Sequence, residues 1–184
     1  MVDPRADDAV NYGGIGTVIG HEITHGFDDE GRQYDSVGNL RDWWTEEDGK
    51  KFDEKAGRVE RQYDGYVATD TLHVNGKLTL GENIADLGGV TISYHAYLRS
   101  LKGKPAPVLD GYTGEQRFFL GYAQAWRRKL RPELERMAAL TDPHSPSHWR
   151  VVGPLSNVEE FARAFGCKDG DGMVRPADVR AEIW

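Results

Sequence analysis

The stretch His21-Glu22-Ile23-Thr24-His25 constrains this chain more than any other, because its residue pattern has chemical meaning only on a helix. Side chains four apart project from one helical face, so His21 and His25 can hold one metal ion between them. Glu22 is offset from the first ligand, where its carboxylate can reach a metal-bound water without ligating. Zinc suits such a set, with two imidazoles, a third protein ligand and one position left for water. Alone, the pentapeptide is a moderately specific signal.

Helical periodicity surrounds it. Ile15, Val18, Ile19, Ile23 and Phe27 recur at three- and four-residue spacing. Gly13, Gly14, Gly16 and Gly20 interrupt the same segment, each costing about 1 kcal/mol against alanine in a helix interior. Their density implies that neighbouring backbone, or a substrate, approaches closely. Gly26 need not end the helix. The acidic start from Asp3 to Asp8 reads as loosely ordered.

Further elements follow from caps and breakers. Residues 28–44 carry turn chemistry and predict an irregular loop or small hairpin. Thr45 with Asp48 resembles a capping box and opens a helix to about Tyr66, with Phe52, Ala56, Val59 and Tyr63 as its core stripe. After a loop at Asn75-Gly76, Thr79 is expected to cap a helix from Leu80 to about Leu101. A fourth runs from Glu115 to Leu130, and a short one follows Arg131-Pro132. The proline-rich 142–150 segment reads as a loop, and Ser156 with Glu159 as a second capping box opening a helix to Phe165. Little strand pattern is present, so the class is mainly α.

Composition excludes several functions. With 184 residues, the chain has room for one domain with a real core, and a net charge of −7 disfavours nucleic acid as partner. No apolar run approaches the roughly 20 residues that span a bilayer, and the first residues do not form a signal peptide. Cys167 is the sole cysteine, which leaves no intrachain disulfide and no cysteine metal site. Acidic turns near Asp28 and near Asp169-Gly170-Asp171 lack the spacing of a calcium loop.

The second informative stretch is Gly81-Glu82-Asn83-Ile84-Ala85-Asp86. Glu82 and Asp86 share a helical face. A two-histidine zinc site needs a third ligand, and a metal-bound histidine needs an acceptor for its other ring N–H. Glu82 as ligand and Asp86 as orienter of a histidine would fill both needs.

Together these stretches resemble the C-terminal part of a neprilysin-type zinc endopeptidase, the family of neprilysin and endothelin-converting enzyme. The matching text runs in order from Asn11-Tyr12-Gly13-Gly14 through His21–Asp29, Asp42-Trp43-Trp44, Asn75-Gly76, Leu80–Asp86 and His144-Ser145-Pro146 to Trp184. The resemblance implies a mainly α, thermolysin-like (gluzincin) lobe forming one zinc-binding catalytic domain over residues 1–184. His21, His25 and Glu82 would be the ligands of one zinc ion and Glu22 the general base. Asp86 would hydrogen-bond a ligand histidine, and Asp28 would be a further acid just outside the ligands. His144, oriented by Asp142, would stabilise the oxyanion, and Arg150 would meet a substrate backbone carbonyl. Val18 and Trp126 would line the pocket for the residue after the scissile bond, favouring bulky apolar side chains in peptide substrates. His73, His95 and His148 receive no functional role.

Departures from the family pattern sharpen the expectation. The family's full catalytic module is several times longer, with an upstream substrate-pairing strand and a helical cap, so the chain reads as a fragment whose N-terminal part is missing. Vertebrate members place cysteines after the Trp126 position and near the final tryptophan, where this chain reads Trp126-Arg127 and Ala181-Glu182-Ile183-Trp184. That difference favours a bacterial-type member and leaves the compartment open. The competing expectations are a zinc-binding module without turnover and a helical interaction protein carrying a chance motif.

Overall fold

The computed structural model describes residues 2–183, so the Trp184 match lies outside the described residues. A helical rod leads the chain: α1 (Asp8–Asn11), a π-helical turn (Tyr12–Gly16), α2 (Thr17–Thr24) and a 3-10 turn (His25–Phe27). Then come α3 (Glu46–Asp64), a hairpin of β1 (Val67–Thr69) and β2 (Leu72–His73), and α4 (Leu80–Ser100). The order ends with α5 (Gly114–Ala125), α6 (Pro132–Thr141), α7 (Trp149–Leu155) and α8 (Glu159–Phe165). The chain is mainly helical, as expected; the antiparallel hairpin, Val67 opposite His73, is the one sheet among the described residues. No described helix is long and apolar enough to cross a membrane.

Glycine decides how α2 meets α4. A Cβ at Gly20 would lie 2.9 Å from the Gly89 carbonyl oxygen, and one at Gly89 would lie 2.6 Å from the Thr17 oxygen and 2.8 Å from the His21 nitrogen. The backbones touch there, which brings α2, with His21 on it and His25 in the turn that continues it, against the helix carrying Glu82 and Asp86. Gly13 likewise admits the Phe118 carbonyl of α5, whereas Gly26 faces open space. The expected close approach is therefore one of protein backbone. Behind it, Tyr94 and Tyr97 of α4 pack on Phe118, Phe119 and Tyr122 of α5, and the α3 stripe Phe52, Ala56, Val59 and Tyr63 is buried as its spacing requires.

Several local expectations are corrected. The acidic start is tied down: Asp7 accepts from the Ala9 and Val10 backbone N–H groups and pairs at 2.7 Å with the buried Arg117. Thr79 caps no backbone; its hydroxyl donates to the Asn75 carbonyl and receives the Asn83 amide. The fourth long helix starts on a Thr113–Gln116 capping box and stops at Ala125, not Leu130. Ser156 opens no helix, because its hydroxyl donates to Gly153 O and accepts from Gln62. The 142–150 segment is irregular only to His148, and Arg150 stands in the first turn of α7. Its prolines lie upstream of that helix, where Pro146 O accepts from the Trp149 and Arg150 N–H groups. Pro154 inside α7 cannot donate to Arg150 O, and the Tyr122 hydroxyl donates there instead.

Candidate zinc and active site

Three side chains converge where α2 meets α4. His21 Nε2 and His25 Nε2 stand 3.0 Å apart, with Glu82 Oε2 at 3.2 Å from the first and Oε1 at 3.5 Å from the second. Donors bound tetrahedrally at about 2.0–2.1 Å would be separated by roughly 3.3 Å, so these distances suit one small cation. The outer ring nitrogens reinforce that reading. His21 Nδ1 is held by Asp86 Oδ1 at 2.9 Å and His25 Nδ1 by Asp28 Oδ2 at 2.7 Å. An Nδ1 proton on each ring would donate to its aspartate, which turns Nε2 of each histidine toward the other and toward Glu82. Such a set demands a positive charge. Burial alone would lower the His21 pKa, but the Asp86 and Glu82 carboxylates outweigh it and push it up to about 9.

The supporting carboxylates are themselves fixed. Asp28 is buried and accepts from the Glu30 and Gly31 backbone N–H groups. Asp86 takes a two-pronged bond from Arg150, Nε to Oδ2 at 2.7 Å and Nη2 to Oδ1 at 2.8 Å, while Nη2 also reaches Glu82 Oε2 at 3.3 Å. The Arg150 guanidinium lies 3.8 Å from the Trp126 ring centre, a cation–π contact that helps hold a buried arginine. Despite its burial, Glu82 has its pKa lowered, by the His21 hydrogen bond first and then by the His144 and Arg150 charges.

His144 approaches from the segment between α6 and α7. Its Nε2 is 3.3 Å from Glu82 Oε2 and its Nδ1 is 2.6 Å from Asp142 Oδ1. Hydrogen bonds from the His144 backbone and ring, together with its charge, outweigh the slight burial and lower the Asp142 pKa. A cavity of about 420 Å³ beside His144 is lined by Trp126, Arg128, Asp142, Ser145 and Arg150 among others. Val18, half-buried on α2, is not among its lining residues. Glu22 is exposed beside His21 and forms no ion pair among the described residues. His73 bonds the Asp64 carbonyl, and His95 and His148 pack against the Tyr94 and Trp149 rings, all away from this cluster.

Sequence reasoning gave Asn83 and Ser145 no role, although the Ser145 hydroxyl donates to Asn83 Oδ1 at 2.7 Å at the back of the site. Each is the sequence neighbour of a candidate functional residue, which was the available signal. The Arg150 clamp on two carboxylates was equally hidden, since a fork across 64 residues leaves no local pattern.

The model of peptidase family M13 matches residues 1–180. The chain belongs to that family. Neprilysin-1 of Caenorhabditis elegans is 51% identical over 177 residues, covering 93% of this chain and 24% of that protein. Endothelin-converting enzyme 1 of Homo sapiens is 46% identical over 180 residues, covering 96% and 23%. Among solved structures, the Mycobacterium tuberculosis zinc metalloprotease ZMP1 in complex with inhibitor superposes with a TM-score of 0.96 at 47% identity, over 99% of this chain and 29% of that one. PEPO from Lactobacillus rhamnosis HN001 follows with a TM-score of 0.87 at 37% identity, over 99% and 27%. This M13 chain thus spans about 24% of the length of such curated relatives.

Proposed function

We propose that the chain is the zinc-binding part of an endopeptidase that cleaves peptide bonds before bulky apolar residues. The observation that carries this is the convergence of two Nε2 atoms and one carboxylate, each histidine bonded from behind to its own aspartate. His21, His25 and Glu82 are the ligands, and Asp86 and Asp28 set the imidazole orientations. When bound there, zinc acts as a Lewis acid, polarising the peptide carbonyl and lowering the pKa of water towards about 7.

The chain's own groups supply the remaining chemistry. Glu22 accepts the proton of the attacking water and delivers it to the departing amine. His144 donates from Nε2 to the carbonyl oxygen as it gains negative charge, with Asp142 holding Nδ1 so that the ring faces the right way. Arg150 has committed Nε and Nη2 to Asp86, leaving Nη1 to meet a substrate backbone carbonyl. The Trp126 ring walls the pocket for the residue after the scissile bond, and Val18, one turn before His21 on α2, is the second residue assigned to it.

Metal analysis of Glu22→Gln alongside wild type tests the reading. Both should hold one zinc per chain, while turnover of apolar peptides falls roughly 10²–10⁴-fold in the variant. Wild type without zinc, or equal cleavage by the variant, overturns it. A second reading, zinc binding without hydrolysis, is favoured by the chain's spanning about 24% of the length of its curated relatives. Zinc at unit stoichiometry with turnover only after the rest of an M13 chain is added would select it.

A further inference from the structure

The segment Asp142–His148 carries no regular structure, yet it brings His144 within 3.3 Å of Glu82. The Asp142–His144 bond cannot supply that placement. Both residues ride on the same segment and both side chains are substantially exposed, so their pairing orients the ring without locating it. The buried attachment is one residue further on. Ser145 is 4% exposed and donates its hydroxyl to Asn83 Oδ1 at 2.7 Å; Asn83 is 1% exposed. Asn83 Nδ2 in turn donates to Thr79 Oγ1 at 2.9 Å, and Thr79 donates to the Asn75 carbonyl at 3.0 Å. All donors point one way along this chain of bonds, which anchors the loop to the first turn of α4.

We infer that Ser145 and Asn83 are positioning residues, whose buried hydrogen bond sets the distance between His144 and the three candidate zinc ligands. Their neighbours in sequence are His144 and Glu82, so the bond joins the backbones bearing an oxyanion donor and a metal ligand. A buried hydroxyl–amide bond tolerates little slack, because either partner left alone keeps an unsatisfied polar group. A donor displaced by about 1 Å loses much of its effect on a transition state while substrate binding persists. This inference rests on the peptidase reading of His144, and its test separates the two.

Ser145→Ala, His144→Ala and the double variant are compared as zinc-loaded proteins on one apolar peptide. Ser145→Ala should keep one zinc per chain with unchanged zinc affinity and KM within about twofold, while kcat drops roughly tenfold. In the His144→Ala background the same change should cost less than about twofold, because the residue acts through His144. Asn83→Ala should reproduce the kcat loss and add little to Ser145→Ala. Full kcat in Ser145→Ala, or an equal loss in both backgrounds, overturns the inference. If His144→Ala leaves turnover unchanged, or wild type shows none, the peptidase role of His144 fails instead. The anchoring bond is then read from hydrogen exchange at the Trp149 and Arg150 amides, which donate to Pro146 O beside Ser145: Ser145→Ala should speed it at least about tenfold, and unchanged exchange overturns the anchoring role.

Discussion

Two of the three imidazole–carboxylate pairs at this site, His21–Asp86 and His144–Asp142, are built in opposite ways. His21 is gripped by Asp86 across 65 residues of sequence, from a carboxylate whose side chain is 1% exposed and clamped by Arg150. His144 is gripped by Asp142 two residues away, with side chains 46% and 40% exposed. A long-range partner fixes where a ring sits as well as how it turns, because moving either residue means moving a helix. A local partner fixes only the turn. The His21 side of the site is therefore welded into the α2–α4 packing, and His144, the proposed oxyanion donor, is carried on a loop. His25 lies between these cases: Asp28 is only three residues distant but is buried and pinned by two backbone N–H groups.

If the welded half depends on helix contact, Gly89→Ala should have the largest effect. Its Cβ would meet Thr17 O and His21 N below 3.0 Å, and overpacking of that kind costs about 1–3 kcal/mol or more. Thermal melting should drop and zinc retention should fail with it. Gly26→Ala, which meets nothing within 4 Å, should melt within about 0.5 kcal/mol of wild type. Equal melting of the two variants would break the comparison at its base. Asp86→Asn comes next: zinc affinity should fall about 10–100-fold in a competition titration. Asp142→Asn should leave that affinity within about twofold and lower kcat alone, and a matching loss of zinc would show that the loop pair belongs to the metal shell after all.

The sequence made the welded half legible because helix spacing is a strong code. His21 with His25, and Glu82 with Asp86, are each four apart, so their shared faces follow from 3.6 residues per turn. The glycines announced close contact without naming the contacting surface, since which backbone enters depends on how distant helices dock. The loop half was harder to read. Prolines at 143 and 146 masked the start of α7, and the hydroxyl of Ser156 matched a cap pattern while serving Gly153 and Gln62. Short β-strands at Val67–Thr69 and Leu72–His73 left no alternation long enough to detect. Asn83 and Ser145 are ordinary polar residues until a fold brings them within 2.7 Å.

The smallest predicted effect separates the two pairs by pH. In the metal-free protein the His21 pKa is raised from an ordinary 6.5 to about 9 by carboxylates that outweigh its burial. The stability this contributes is fully present below pH 6.5 and is lost as pH rises through 9, because the folded state then gives up the proton that balances Asp86 and Glu82. Asp142 carries a lowered pKa, so its contribution is present above the ordinary carboxylate range and lost in acid; its exposure to solvent keeps that contribution small. Metal-free protein should therefore lose a few degrees of melting temperature between neutral pH and pH 9. Saturating zinc should abolish the alkaline loss by taking the proton's place between the same three groups. Asp86→Asn should flatten it in the metal-free protein, whereas His144→Ala should leave it intact. An alkaline loss that survives Asp86→Asn and disappears in His144→Ala would reverse the assignment, making the exposed loop pair, and not the buried one, the group whose charge the fold depends on.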